Sequence, residues 1–371
     1  MSRHLLLAGG GHSHVEVLRR WALAPEPDTR LTLLSPDRLT PYSGMVPGLI
    51  AGHYRAEECH IDLAALCAAA GATQVTARVA ALDPAGHRVI TDDGRVMAYD
   101  WLAIDVGAMP ATSGIAGSRR YGIPIRPVAG FLTQWHELRA AALMAPRPLE
   151  LAVVGGGAAG VEVVLAMQHR INAEGGRARF TLVTGGSGLL PALAPAVRRH
   201  LARILADRQI RLCQGAAVTR AGAGRLELAD GRIELCDEVV WANGSAAPAW
   251  LRASGVACDA GGYLAVDATL RSISHREIFG SGDAASQVGS PRPKSGVYAV
   301  RHGPPLHDNL RCVLRGEPLR EYRPQRRTLA LISTGERCAV ASYGTLACHG
   351  PWVWRWKDHI DRSFIARYHG A

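Results

Sequence analysis

Two four-residue apolar runs, Leu5-Leu6-Leu7-Ala8 and Leu151-Ala152-Val153-Val154, each break at three consecutive glycines. Runs this short, closed by a Gly turn, predict buried parallel strands. Val15, Leu18, Trp21 and Ala22 then recur at helical spacing after the first, and Val161, Val164, Leu165 and Gln168 after the second. Short second strands are predicted at 31–34 and 180–183, following the glycines by roughly 20 residues as a strand–helix–strand unit requires. Segments 100–107 and 237–244 repeat an acidic lead-in, an apolar strand and a Gly exit, at Gly107 and Asn243-Gly244. A strand at 278–280 runs into Gly282-Asp283, and a helix is expected from Val297 until Pro304 and Pro305 kink or stop it. Val353, Trp356, Ile360 and Phe364 predict a last helix with one apolar stripe. The pattern is that of an α/β chain with two Rossmann-like three-layer domains, one inserted in the other, plus a small C-terminal unit. The expected boundaries are 1–112 with 236–322, then 113–235 for the inserted domain, and 323–371 for the tail.

The glycines carry the first chemical signal. In Gly-x-Gly-x-x-Gly the first Gly makes the tight turn, the second admits pyrophosphate to the backbone, and the third lets helix pack on strand. The helix start then offers unpaired amides to phosphate. Gly155, Gly157 and Gly160 fill all three places. In the first unit Gly9 and Gly11 fit, but His14 stands at the third place. His14 is expected either as a surface imidazole or, like His12, as a donor near a phosphate or a flavin. A carboxylate normally ends the second strand and holds a ribose. The first unit offers Ser35 and Asp37 for that role; the second has Thr184 and no acid, which leaves room for a 2′-phosphate beside Arg177, Arg179 or Arg198.

Composition narrows the field. Hydrophobic residues make up 48% and charged residues 20%, so a packed interior is expected rather than a disordered chain. No apolar stretch is long enough to span a bilayer, and no secretory leader is read at the start. The net charge of +10 favours anionic cofactors or surfaces, but the basic residues are dispersed along the chain, so nucleic acid is not an expected partner. None of the eight cysteines forms a Cys-x-x-Cys pair and no His/Cys set has zinc spacing, so reduced cytoplasmic thiols and no metal site are expected.

With these motifs together, the chain resembles the pyridine nucleotide-disulfide oxidoreductase superfamily, especially type II NADH dehydrogenases and sulfide:quinone reductases. More narrowly, it is similar to the flavoprotein family sometimes fused to selenide, water dikinase. That likeness rests on Gly9-Gly10-Gly11-His12-Ser13-His14-Val15, on Leu39-Thr40-Pro41-Tyr42-Ser43-Gly44-Met45-Val46-Pro47-Gly48, and on two further segments, 297–306 and 354–362. The resemblance implies FAD at the first unit, held by Gly9, Gly11, His12, Ser13, His14, Ser35, Asp37, Ser43, Gly44, Gly107, Gly282 and Asp283. It implies that Lys294, Gly296 and Val297 run beside the isoalloxazine, with Lys294 and a helix start tuning its charge and Tyr42 closing one face. NAD(P)H is implied at the second unit, with Gly155, Gly157, Gly160, Thr184, Asn243 and Gly244. Disulfide reductases of the family carry a Cys pair in the region of Tyr42 to Pro47, and this chain has none there. Sulfide:quinone reductases use cysteines before the second Gly motif and near the final flavin loop; residues 107–155 and 283–305 here contain none, so the resemblance implies direct hydride transfer rather than persulfide chemistry.

The leading expectation is therefore hydride transfer from NAD(P)H to FAD and two electrons onward to a quinone or similar acceptor. Oxidation of a sulfur or selenium compound and a non-catalytic flavin-bearing sensor stand as alternatives. The Trp- and Arg-rich tail is read either as a helix lying on the inner face of the cell membrane, which would make the protein peripheral, or as one packing on the flavin lobe or in a homodimer.

Overall fold

The computed structural model describes residues 2–369. The strand Arg3–Ala8 lies at the centre of a five-stranded parallel sheet ordered Ile278–Gly280, Trp101–Ile104, Arg3–Ala8, Thr29–Ser35, Thr73–Thr76. Leu5 to Ala8 are all buried, as a strand covered on both faces must be. A second parallel sheet runs Ile123–Pro124, Glu238–Trp241, Leu149–Val154, Ala178–Val183, Arg211–Cys213. Each parallel sheet is accompanied by a three-stranded antiparallel sheet, at 79–98 and 218–235. The chain leaves the first sheet after residue 104 and rejoins it at Ile278–Gly280, with the second sheet formed between.

The expected return at residue 236 is corrected. Glu238–Trp241 pairs with Leu149–Val154, Val240 opposite Val153, so it is a central strand of the second sheet. The chain crosses instead where Met109–Pro110 pairs antiparallel with Ser245–Ala246.

A second correction concerns Pro304 and Pro305. The helix runs unbroken from Gly296 to Arg315 through both. Each proline removes one amide donor, but Leu306 and Leu310 are fully buried and Gly303 sits against Glu16 of helix His12–Leu23. Packing along that helix holds the geometry that local preference opposes.

The tail forms an antiparallel sheet of Ala330–Ser333, Ala339–Tyr343 and Leu346–Gly350, followed by the helix Pro351–Ile365. It bridges both lobes. Ile332 and Val340 join the apolar core of the second, whereas Val353, Trp354, Phe364 and Tyr368 join that of the first. The predicted stripe is only half right. Val353 and Phe364 face inward, but Trp356 and Ile360 face out, because Lys357 and Asp361 take inner positions as a buried ion pair at 2.6 Å. No helix among the described residues is long and apolar enough to cross a membrane.

Candidate functional site

The first glycine turn is built against one buried carboxylate. Gly9 has φ +103°, a conformation that favours glycine, and a side chain there would overlap the Asp105 backbone. A side chain at Gly11 or Gly282 would overlap the Asp105 carboxylate itself. That carboxylate accepts the amide of Ser13 at 2.8 Å and, more weakly, that of His14 at 3.4 Å, at the start of helix His12–Leu23. Burial pushes Asp105 up to about 6; His12 and the two amides oppose the shift, and Asp283 adds to it.

The first amides of a helix have no intrahelical acceptor; Asp105 takes those of Ser13 and His14, and those of Gly11 and His12 have no acceptor among the described residues. This side-chain-free turn fits a pyrophosphate. Ser35 is buried and donates to the Asp37 carbonyl at 3.2 Å. Beside it, an open cavity of about 390 Å³ is lined by Pro36, Thr76 and Ala77 at the carboxyl ends of two sheet strands, the end at which open α/β sheets bind nucleotides, and by Arg78, Asp92 and Asp93 on its other side.

Several expected ligands have other partners. His14 is fully buried rather than a surface imidazole; its Nδ1 meets the Gly9 carbonyl at 2.7 Å, and burial pushes it down to about 4. It closes the turn as a neutral ring and does not reach outward. The Ser13 hydroxyl donates to the Ala299 carbonyl at 2.8 Å, so it ties the two long helices together. Lys294 donates to the Ala285 carbonyl and lies 4.0 Å from the centre of the Tyr263 ring, so its ammonium is not aimed at the helix start. Burial lowers its pKa, with Asp259 and Asp283 opposing. Thr184 is fully buried behind Gly156, so its hydroxyl is not exposed to a ribose. Arg177 and Arg179 lie at the beginning of strand Ala178–Val183 and bind the Pro146 carbonyl and Glu150. That is the end away from the nucleotide crevice.

Other residues do converge. The Ser43 amide meets His12 Nε2 at 3.4 Å, and Ser43 Oγ lies where a side chain on Gly296 would fall. Helix Gly296–Arg315 begins there with its first amides uncapped by any side chain, and Val297 is 40% exposed. Tyr42 stacks on Phe364 at 4.2 Å and meets His12 edge-on at 5.6 Å. Burial first, and then the Asp361 charge, raise its phenol pKa. Asp283 pairs with Arg126 of the inserted lobe at 3.2 Å. His302 accepts the Gly282 amide at 3.1 Å, and burial pushes it down to about 4. Gly107 has φ +71° with open space around it.

In the second unit Gly155, at φ +143°, packs on the Ala242 carbonyl, and Gly160 packs on the Gly155 carbonyl. Gly157 is exposed with nothing near it, the approach a phosphate needs. Asn243 donates to the Ala111 carbonyl at 2.7 Å and braces the crossover, next to exposed Gly244.

Asp105, Arg126 and Glu162 are new relative to the sequence reading. Asp105 stood inside a recognised strand exit, and Glu162 two places after the last motif glycine. The Glu162 carboxylate accepts the Ser333 amide at 2.8 Å. Burial pushes it up to about 7, opposed by the Lys357 charge. Lys357 in turn donates to the Gly44 carbonyl at 2.5 Å. A line of charged groups thus runs from the second glycine helix, through the tail, to the Tyr42–Gly44 loop. All eight cysteines are free, and no cluster of His, Cys, Asp or Glu suited to a metal exists among the described residues.

Comparison with known proteins bears on the same features. Residues 5–303 match the family model described as pyridine nucleotide-disulphide oxidoreductase. An NADH dehydrogenase-like protein of Mycobacterium tuberculosis is 27% identical over 264 residues, covering 68% of this chain and 65% of that protein. The chain therefore spans just under two thirds of that relative's length. A demethylphylloquinone reductase of Synechocystis is 26% identical, over 77% of this chain and 72% of that one. Among solved structures, NDH2 of Plasmodium falciparum in complex with NADH superposes with a TM-score of 0.84 at 14% identity, covering 98% of this chain and 97% of that one. Sulfide:quinone oxidoreductase of Aquifex aeolicus reaches 0.80 at 19% identity, covering 99% and 91%. At such identities the superpositions speak for the fold alone. The family match spans most of the chain and both glycine turns: the chain belongs to the pyridine nucleotide-disulphide oxidoreductase family.

Proposed function

We propose that this protein is an FAD-dependent NAD(P)H dehydrogenase that passes two electrons to a quinone or similar acceptor without a redox-active disulfide. One observation carries the reading. The segment from Tyr42 to Ala51 touches His12 at the first glycine turn and packs through Val46, Ile50 and Ala51 into the core of the second lobe, against helix Ala158–Ala173. Two open nucleotide turns are thereby joined across one short apolar element. FAD, when bound, accepts a hydride and releases electrons singly or in pairs.

This chain's residues bind and orient. Gly11 and His12 offer amides to the pyrophosphate, Asp37 lies at the ribose end, and Asp283 faces the crevice with Arg126 balancing its charge. The uncapped start of helix Gly296–Arg315 supplies positive potential to the crevice, which would favour negative charge on a bound cofactor. Tyr42, backed by Phe364, closes the crevice against water. Gly155, Gly157 and Gly160 receive the nicotinamide nucleotide. Glu162, with a pKa near neutrality, holds or releases a proton beside Lys357. No cysteine is needed at any point.

The outer face of the tail helix bears Trp352, Trp356 and Ile360, at 50%, 41% and 38% exposure, with Arg355 beside them. Aromatic and basic groups on one exposed face suit a membrane interface, which is where a quinone would be met.

The test is anaerobic mixing of the FAD-loaded protein with NADH, NADPH, sulfide or selenide, followed by a quinone. Bleaching of flavin absorbance by a nicotinamide, and its return on adding quinone, is expected. Bleaching by sulfide or selenide alone, or by none of the four, would overturn the reading.

A further inference from the structure

A cavity of about 590 Å³ opens between helices His12–Leu23 and Gly296–Arg315, the 322–325 segment and the end of the tail. None of its lining residues belongs to the nucleotide turns described above. Five arginines line it, Arg19, Arg20, Arg301, Arg323 and Arg367, against a single carboxylate, Glu16. Glu16 is fully engaged: it binds Arg19 and Arg20 at 2.9 and 2.6 Å and accepts the Tyr368 hydroxyl at 3.0 Å. Arg323 pairs with Glu321 at 3.3 Å, and Arg20 also with Asp308 at 3.8 Å. Among the described residues Arg301 and Arg367 have no carboxylate partner; Arg367 Nε meets only the Ser363 carbonyl. The wall therefore keeps a surplus of guanidinium charge.

A second, independent feature points the same way. Tyr322 and Gln325 belong to the same wall, and their outermost polar atoms, Tyr322 Oη and Gln325 Nε2, are covered from the cavity and have no hydrogen-bond partner among the described residues. A buried polar group without a partner is costly, so these two donors gain a partner when their side chains turn toward an acceptor held in the cavity. Both carry hydrogens to give, and the guanidiniums add more. Nothing in the lining offsets this excess with a free carboxylate. A small anion with several acceptor oxygens pairs with the open guanidiniums, whose planar forks match phosphate oxygens in pairs, and reaches the two covered donors once their side chains turn inward.

We infer that this cavity is a binding site for a phosphate group, presented by a soluble phosphate compound or by the headgroup of an anionic lipid. The site is separate from the FAD pyrophosphate turn, and its occupancy does not depend on nicotinamide chemistry. A tightly bound phosphate would draw Arg301 of the long helix, Arg367 of the tail and Tyr322 of the connecting segment onto one ligand.

The experiment uses the FAD-loaded full chain. Inorganic phosphate is titrated calorimetrically, and vesicles of phosphatidylglycerol or phosphatidylcholine are tested by co-sedimentation. The comparison set is wild type, the double variant Arg301→Gln/Arg367→Gln, and Tyr322→Phe. Phe removes one hydroxyl without changing charge, so it separates a built site from diffuse attraction. FAD content and far-ultraviolet circular dichroism confirm that each variant is folded. Saturable phosphate binding, weakened about tenfold or more by the double variant and severalfold by Tyr322→Phe, is expected if the source is soluble. Binding to phosphatidylglycerol but not phosphatidylcholine vesicles, with the same sensitivity to both variants, assigns the site to lipid. Absence of binding in both assays, or binding that Tyr322→Phe leaves unchanged, overturns the proposal.

Discussion

Asp105 puts a buried carboxylate beneath the turn that would receive the two phosphate charges of FAD. Its pKa of about 6 means that it is neutral in mildly acidic solution and ionised at pH 8. A nearby dianion favours the protonated form, so FAD affinity is expected to be highest below pH 6 and to fall as the pH rises through it. Fluorescence titration of FAD between pH 5 and 8 should show a loss of about tenfold in the wild type and under about twofold in Asp105→Asn. An equal pH dependence in both would remove Asp105 from the cofactor site. The same linkage destabilises the empty protein as Asp105 ionises, because its folded pKa lies above the unfolded one. Gly9 and Gly11 were readable at this scale because each position needs a missing side chain. Asp105 was not, since its importance comes from folding residue 105 back onto residues 9–13, which no local pattern encodes. His14 was misread for a related reason: a histidine at a glycine place looks like an outward group until the Gly9 carbonyl is found waiting for it.

The tail helix shows how an element can be foreseen and still be turned the wrong way. Its apolar spacing gave the helix, but hydrophobic count alone could not orient it once Lys357 and Asp361 neutralised each other inside. Removing one partner leaves the other charged and buried, and Asp361→Ala is expected to cost about 3 kcal/mol in chemical denaturation. Lys357→Met with Asp361→Leu should recover much of that loss, since a buried pair replaced by apolar groups is often neutral. A single variant as stable as the wild type would contradict the burial assigned to the pair. On the opposite face, Trp352→Ser with Trp356→Ser is expected to reduce co-sedimentation with lipid vesicles by about tenfold or more without lowering FAD content. Vesicle binding unaffected by the pair would return the tail to a purely internal role. Helix Gly296–Arg315 carries the same lesson, because Pro304 and Pro305 argue locally for a break and Leu306, Leu310 and the close approach at Gly303 override them.

Across the whole molecule, the two parallel sheets and their nesting were legible from repeated strand–glycine–helix openings, whereas the crossing point was displaced. Glu238–Trp241 looked like the first lobe's return strand, and only its pairing with Leu149–Val154 assigns it to the second. Coupling between lobes was also hidden in the sequence: Arg126 reaches Asp283, and Glu162 reaches Ser333 beside Lys357. If Glu162 supplies a proton to the acceptor, turnover should be full below pH 7 and decline as the pH rises through it. Glu162→Gln should give a lower, flatter profile in steady-state quinone reduction. A wild-type rate that rises through pH 7 would contradict that role. The proposed flavin chemistry depends on FAD at the first glycine turn. The direct measurement is the amount of FAD bound per chain after reconstitution and gel filtration, for the wild type and for Gly11→Ala, whose added methyl would strike the Asp105 carboxylate. About one FAD per wild-type chain, and little or none in a folded Gly11→Ala, is the predicted result. A wild-type protein that stays colourless with excess FAD, or a variant that binds as much as the wild type, would contradict it.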